Sequence, residues 1–221
     1  MAKNLELKNM VAFDDRCALE KILAYSIGDE KSRECVDRLL ENYGSLATVF
    51  SEREEEVCRV GNINMNTALL IKLVAYVNSR RVTSSLEMKR AYTELELREY
   101  LCAIFLGLSV ETVYALMLDD EDRIIAVEHI SDGTVNSSDI LPRKVLECAK
   151  RRKSTRIILA HNHPKGTSKP SKEDVMTTGR LMNVFGTVGV KLVAHYVVAD
   201  GEIERIEKEI LYNPDYGRGE F

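Results

Sequence analysis

No apolar run in this sequence approaches the roughly 20 residues that a membrane-spanning helix needs. The start, Met1-Ala-Lys-Asn-Leu-Glu, lacks the apolar stretch of a signal peptide, so we expect a soluble, cytoplasmic chain with no membrane partner. Cysteine is sparse and unpatterned. Cys17, Cys35, Cys58, Cys102 and Cys148 form no CxxC pair, and their odd number argues against a disulfide framework. Reduced, mostly buried thiols in a reducing compartment are expected instead. A strong excess of positive charge is also missing. The chain carries 14 basic and 15 acidic residues through Leu95, then 17 and 20 beyond it, for a net charge of −4. That balance speaks against a general nucleic-acid binder, which neutralises phosphates with Lys and Arg. Repeats and low-complexity tracts are absent too. What is present is 45% hydrophobic and 30% charged residues over 221 positions, enough to build a core in one large domain or two small ones.

Residues 13 to about 82 read as helical. Apolar side chains recur at helical spacing in Cys17-Ala-Leu-Glu-Lys-Ile-Leu-Ala-Tyr and again from Glu34 to Tyr43, where Gly44 supplies a stop. Glu54, Glu55 and Glu56 fit a helix start, where the macrodipole favours acids, and Gly61 fits a tight turn before a further helix. The hydrophobic pattern lapses over Ser79-Arg-Arg-Val-Thr-Ser-Ser, which reads as a linker, and a helix is expected from Leu86 to about Leu106. Beyond that point the character changes. Thr112-Val-Tyr-Ala-Leu-Met-Leu, the turn-like Asp119-Asp-Glu-Asp and Arg123-Ile-Ile-Ala-Val-Glu predict a hairpin. A helix around Lys144, a strand at Arg156–Ala160, a helix at Ser171–Phe185, a strand at Val190–Val198 and a partner near Ile203 complete an α/β or α+β unit. The divisions are therefore 1–82, helical; 83–98, linker and helix; and 99–221, the α/β unit.

Histidine is scarce: His129, His161, His163 and His195. His161 and His163 follow the apolar strand directly. Alternate residues of an extended chain point to one side, so both imidazoles can converge on one point at the strand's end. A loop rich in Pro and Gly follows, then Ser171 at a helix start, with Asp174 in the first turn. Two imidazoles and a carboxylate make a three-ligand zinc set, which leaves a fourth position for water. Ser171 with Asp174 is equally an N-cap pattern that needs no metal.

His161-Asn-His163, seven residues, Ser171, two residues and Asp174 reproduce the HxHx7SxxD signature of JAB/MPN (JAMM) metalloproteases. The run from His161 to Ser171, together with Gly133-Thr-Val-Asn-Ser-Ser and Leu141-Pro-Arg, resembles the bacterial RadC branch of that family. Leu39-Leu-Glu-Asn-Tyr-Gly-Ser-Leu and Glu56-Val-Cys-Arg-Val-Gly resemble the RadC helical domain, so the likeness spans nearly the whole chain. The resemblance implies a cytidine-deaminase-like mixed sheet flanked by helices, preceded by a small all-helical domain. It also implies Zn2+ on His161, His163 and Asp174, an upstream glutamate as proton carrier, and the Ser171 hydroxyl on a developing oxyanion. Glu111, just before a strand, is the favoured glutamate, with Glu128 its rival; either alone would ordinarily be a solvated carboxylate. The activity implied is hydrolysis of peptide or isopeptide bonds in a peptide or protein substrate.

Departures from the resemblance matter in three places. Lys165-Gly166 replaces a common Ser-Gly pair, and Ala194-His195 replaces Asp-His. His195 reads as a structural, hydrogen-bonded histidine rather than a fourth ligand, and His129 as a surface residue. RadC relatives also resemble a helix-hairpin-helix, in which a Gly-x-Gly turn lets backbone amides approach a DNA phosphate. Here Gly61-Asn-Ile-Asn-Met is bulkier, which weakens DNA as a partner in favour of a helical interaction module. A DNA-repair binding protein with a structural metal site is the competing class. Lys150-Arg-Arg-Lys153 reads as a solvated helix end, whereas Lys165, Lys169 and Lys172 flank the zinc loop and could draw in an acidic substrate segment.

Overall fold

The computed structural model describes residues 14–86, 93–133 and 140–206. The segment Thr134-Val-Asn-Ser-Ser, part of the RadC-like pattern, lies outside the described residues. The chain divides into two compact units, Met1–Tyr76 and Val77–Phe221. No helix among the described residues is long and apolar enough to cross a membrane.

The first unit holds α1 (Asp15–Ile27), α2 (Asp29–Tyr43), α3 (Leu46–Ser51), α4 (Glu54–Gly61) and the start of α5 (Met65–Leu86). Asp14 opens α1 by accepting from the Cys17 N–H at 2.7 Å. Gly44, at φ 79°, closes α2 with the left-handed step that glycine makes at no steric cost. Leu19, Leu23, Val36, Leu39, Val49, Val57 and Ile71 are fully buried, each stabilising the fold by roughly 1.5–3 kcal/mol. The turn after α4 differs from a glycine hairpin. Its left-handed residue is Asn62, at φ 52°, while Gly61 still belongs to the helix. A Cβ on Gly61 would sit 2.9 Å from the Cys35 Sγ, so this glycine serves the close packing of α4 on α2. α5 runs unbroken through Ser79–Ser85, where the apolar pattern lapses. Arg80 and Arg81 are solvent-exposed there, Ser79 and Val82 are half-buried, and the buried residue is a polar one, Thr83, so the stretch is helical without an apolar stripe.

The second unit is built on a five-stranded mixed sheet in the order β2-β1-β3-β4-β5. Its strands are β1 (Thr112–Leu118), β2 (Ile124–Asp132), β3 (Arg156–Asn162), β4 (Lys191–Ala199) and β5 (Glu202–Arg205). β3 runs antiparallel to β1 and parallel to β4. Helix α6 (Glu94–Phe105) covers one face; α7 (Ile140–Arg152) and α8 (Lys172–Thr187) cover the other. Period-2 alternation divides the side chains between the two cores. Leu116, Leu118, Ile158, Ala160, Ala194 and Tyr196 join Tyr100 and Phe105 of α6. Val113, Ala115, Met117, Ile157 and Leu159 join Val145 of α7 and Phe185 of α8. Central strands buried on both faces need near-continuous apolar runs, which β1 and β3 have, whereas β2 at the edge is half exposed. This is the expected α/β architecture, a mixed sheet flanked by helices and preceded by helices.

Candidate metal centre

By the same alternation, His161 at the end of β3 faces the α8 side of the sheet, and β3 is followed by the loop that leads into α8. Two parallel strands joined through a helix leave the carboxyl end of the first strand beside the helix N-terminus, a common place for a site. The His163 N–H donates to the Val198 carbonyl at 2.8 Å, extending the β3–β4 pairing by one residue and keeping both imidazoles on one side. Ser171 caps α8 in a capping box: its hydroxyl accepts from the Asp174 N–H at 3.1 Å, and the Asp174 Oδ2 accepts from the Ser171 N–H at 2.8 Å. The Ser171 hydroxyl also donates to that Oδ2 at 2.7 Å. The cap is therefore what aims the carboxylate, and the capping and ligand readings of the sequence describe one arrangement.

The His161 Nε2 lies 3.1 Å from the His163 Nε2 and 3.1 Å from the Asp174 Oδ1; the His163 Nε2 lies 3.4 Å from the Asp174 Oδ2. Ligand bonds of about 2.0–2.1 Å give a tetrahedral zinc site edges of about 3.3 Å, and each of these contacts is close to that length, with one carboxylate oxygen toward each imidazole. Among the described residues this is the one group of three or more His, Cys, Asp or Glu able to hold a metal ion. Proton positions fit a cation as well. The His163 Nδ1 lies 2.9 Å from the Thr167 carbonyl, which can only accept, so Nδ1 carries the proton and Nε2 of the neutral ring is bare. The Asp174 carboxylate can only accept as well, so a cation or a proton is needed between it and that Nε2. Without a cation, Asp174 draws a proton onto His163: its hydrogen bond raises the imidazole above its usual value against the opposing effect of burial. Burial works to raise the Asp174 carboxyl, but hydrogen bonds from His161 and His163 outweigh it and hold it far below the usual carboxylate range.

A second layer stands behind His161. Its Nδ1 lies 3.0 Å from the His195 Nε2, and the His195 Nδ1 lies 2.6 Å from the Thr178 Oγ1. His195 therefore stands behind His161 as its hydrogen-bonded partner, outside the three-residue group. Burial pushes its imidazole down to about 3, so the ring is neutral. Ala194, its neighbour, points into the α6 core on the far face of the sheet. Thr178 went unnoticed in the sequence; its signal is its place one turn after Asp174, on the same face of α8.

The two glutamates part clearly. Glu111 immediately precedes β1, whose Val113 pairs with His161, and its carboxylate is one of the charges that favour a proton on His163. Its backbone is held from both sides. Asn162, the middle residue of the His-Asn-His triplet, accepts from the Thr112 N–H at 2.7 Å and donates to the Val110 carbonyl at 3.2 Å, and the Gly133 N–H donates to the Glu111 carbonyl at 2.7 Å. Glu128 sits on β2 between Arg151 at 2.8 Å and Arg152 at 2.6 Å. Burial works to raise its carboxyl, but the two guanidinium groups prevail and lower it. Two of the four basic residues from Lys150 to Lys153 are thus ion-pair partners. His129 is surface-exposed and bonds to Asp132 at 2.8 Å. Lys165, Lys169 and Lys172 are exposed along the loop and the first residue of α8. A Cβ on Gly166 would come within 3.2 Å of the His163 Cβ, so the glycine kept after Lys165 leaves room for that ligand.

The family model described as RadC-like JAB domain matches residues 92–209. A UPF0758 protein of Vibrio campbellii is 32% identical over 170 residues, 76% of either chain. One from Vibrio cholerae is 32% identical over 168 residues, 76% of this chain and 75% of its own, and one from Cellvibrio japonicus is 30% identical over 166 residues, 75% and 74%. On the matched domain and the length of the similarity to these relatives, the chain belongs to the RadC family, with helices preceding a JAB-type domain.

Proposed function

We propose that this chain is a zinc-dependent metallohydrolase of the JAMM type, cleaving peptide or isopeptide bonds in a peptide or protein substrate. The observation that carries the reading is the convergence of the His161 Nε2, the His163 Nε2 and the Asp174 carboxylate, in contacts of 3.1–3.4 Å. These residues would hold the ion. Zinc bound by three protein ligands supplies Lewis acidity and brings the pKa of a water near 7. The Glu111 carboxylate, strapped beside His163, accepts a proton from the attacking water and delivers it to the leaving amine, work worth about 10²–10⁴ in rate. The Ser171 hydroxyl, turning from the Asp174 Oδ2, donates to the developing oxyanion; losing such a donor costs about 2.7–4 kcal/mol of barrier. Lys165, Lys169 and Lys172 give the approach a positive rim suited to acidic substrate segments. The five cysteines form no disulfide, which suits a reducing compartment, and we place the chain in the cytoplasm.

The test is cleavage of a quenched peptide library and of lysine-linked isopeptides by zinc-loaded wild-type protein and by Glu111→Gln. The expected result is turnover by the wild type and a kcat lower by about 10²–10⁴ in a variant that still holds its zinc. Equal turnover by both proteins would remove Glu111 from the chemistry, and no turnover of any substrate by the loaded wild type would contradict the hydrolase reading.

A further inference from the structure

A chain of hydrogen bonds joins Asp174 to His161 through Thr178 and His195, and its direction can be read from its ends. The Thr178 Oγ1 lies 2.6 Å from the Asp174 main-chain carbonyl, one turn back along α8. Two oxygens approach that closely only with a proton between them, and a carbonyl has none to give, so the single hydroxyl proton of Thr178 is committed to it. The same Oγ1 lies 2.6 Å from the His195 Nδ1, and that contact needs a proton too. It must come from the ring: His195 carries its proton on Nδ1. His195 is 2% exposed and its two nitrogens meet a hydroxyl and an imidazole, so with its proton on Nδ1 the Nε2 is left to accept from the His161 Nδ1 at 3.0 Å. His161 then holds its proton on Nδ1 and presents a lone pair at Nε2, the atom that faces the Asp174 Oδ1 and the His163 Nε2.

We infer that Thr178 and His195 are positioning residues that fix the tautomer of His161, with the direction of the relay set by the Asp174 carbonyl. The inference rests on the reading of His161 as a metal ligand. Burial makes the relay decisive. His161 and His195 are 0% and 2% exposed, Thr178 and Asp174 2% and 3%, so water does not readily substitute for a missing partner. Were the relay to run the other way, His195 would hold its proton on Nε2 and donate to the His161 Nδ1. The His161 proton would move to Nε2, where it competes with the ion. Thr178 forbids this, because a hydroxyl already donating to a carbonyl has no proton left for a bare Nδ1. Helix α8 thereby supplies one ligand, Asp174, and also the group that keeps another ligand receptive.

The test reads the tautomer directly, in full-length protein labelled with 15N at histidine and stripped of metal. Long-range proton–nitrogen correlation is expected to show the His195 Nδ1 protonated and its Nε2 bare in the wild type. In Thr178→Val, which keeps the side-chain shape and loses the hydroxyl, the His195 proton is expected at Nε2, and Thr178→Ser should restore the wild-type pattern. Zinc affinity, measured by chelator competition, should fall about 10–100-fold in Thr178→Val and recover in Thr178→Ser. A wild-type His195 protonated at Nε2 would overturn the inference, and that reading stands even if the valine variant fails to fold. An unchanged tautomer in a folded Thr178→Val would overturn it as well. Should the tautomers behave as described while no form of the protein binds zinc, the relay stands and the metallohydrolase reading falls.

Discussion

His161 is fully buried and backed by His195 and, through it, Thr178, whereas His163, two residues on, keeps 21% of its side chain exposed and leans on a single carbonyl of the Thr167 loop. Asp174 stands between them, one oxygen toward each. The buried flank is built from sheet and helix, and it fixes direction. The open flank is loop, with Glu111 and the lysines around it, and it is reached by solvent. A hydrolytic site needs both: geometry held tightly on one side, and access on the other.

Removing each histidine in turn gives the largest effect. His161→Ala and His163→Ala should both lose zinc, yet their metal-free forms should differ. His161→Ala leaves His195 without its partner and opens a cavity in a dry region, lowering stability by about 2–4 kcal/mol in urea unfolding. His163→Ala should fall within about 1 kcal/mol of wild type. Equal losses would erase the distinction between the flanks. Next comes Asn162→Ala, which cuts the strap on both sides of Glu111. The expected outcome is a kcat lower by up to about 10²-fold with zinc content unchanged, checked by turnover beside elemental analysis.

A third prediction concerns pH. The Asp174 hydrogen bond raises His163 in the metal-free chain. A raised group contributes stability that is fully present below its unfolded value, near 6.5, and is lost as pH rises through the folded value. Protons and zinc compete for the same nitrogen. The increment that zinc adds to Tm should therefore be small near pH 6 and grow as the pH is raised; an increment that shrinks with rising pH would contradict the assignment of His163. The smallest effect is expected from Gly166→Ala. Its Cβ would press on the His163 Cβ at 3.2 Å, but the loop is exposed and can give, so stability should change by about 0.5 kcal/mol while zinc affinity falls several-fold.

Much of this was legible in the sequence because it depends on short-range geometry. The spacing of His161 and His163 at the end of an apolar strand sets both rings on one side whatever surrounds them, and Ser171 with Asp174 marks a helix start under either reading. The hairpin of β1 and β2, with Asp119 to Asp122 between, was equally plain. What was not legible depends on neighbours far apart in sequence. His195 reaches His161 because β4 lies beside β3 and pairs Leu159 with His195. Thr178 reaches His195 because α8 packs on β4. Glu128 and the basic end of α7 each looked solvated alone, and their pairing across 23 and 24 residues explains both. The Ser79–Ser85 stretch looks like a linker because its helix exposes Arg80 and Arg81 and buries a polar residue, Thr83, leaving no apolar rhythm, and Gly61 looks like a turn glycine because the close approach of the Cys35 Sγ leaves no trace in sequence.

The most direct measurement is the metal content of the purified protein by elemental analysis, beside His161→Ala, His163→Ala and Asp174→Ala. Three protein ligands at these spacings predict about one zinc per chain in the wild type and loss of it in every variant, each of them still folded. A wild type that retains no zinc after zinc is supplied, or variants that retain as much as the wild type, would contradict the metal centre on which the account rests.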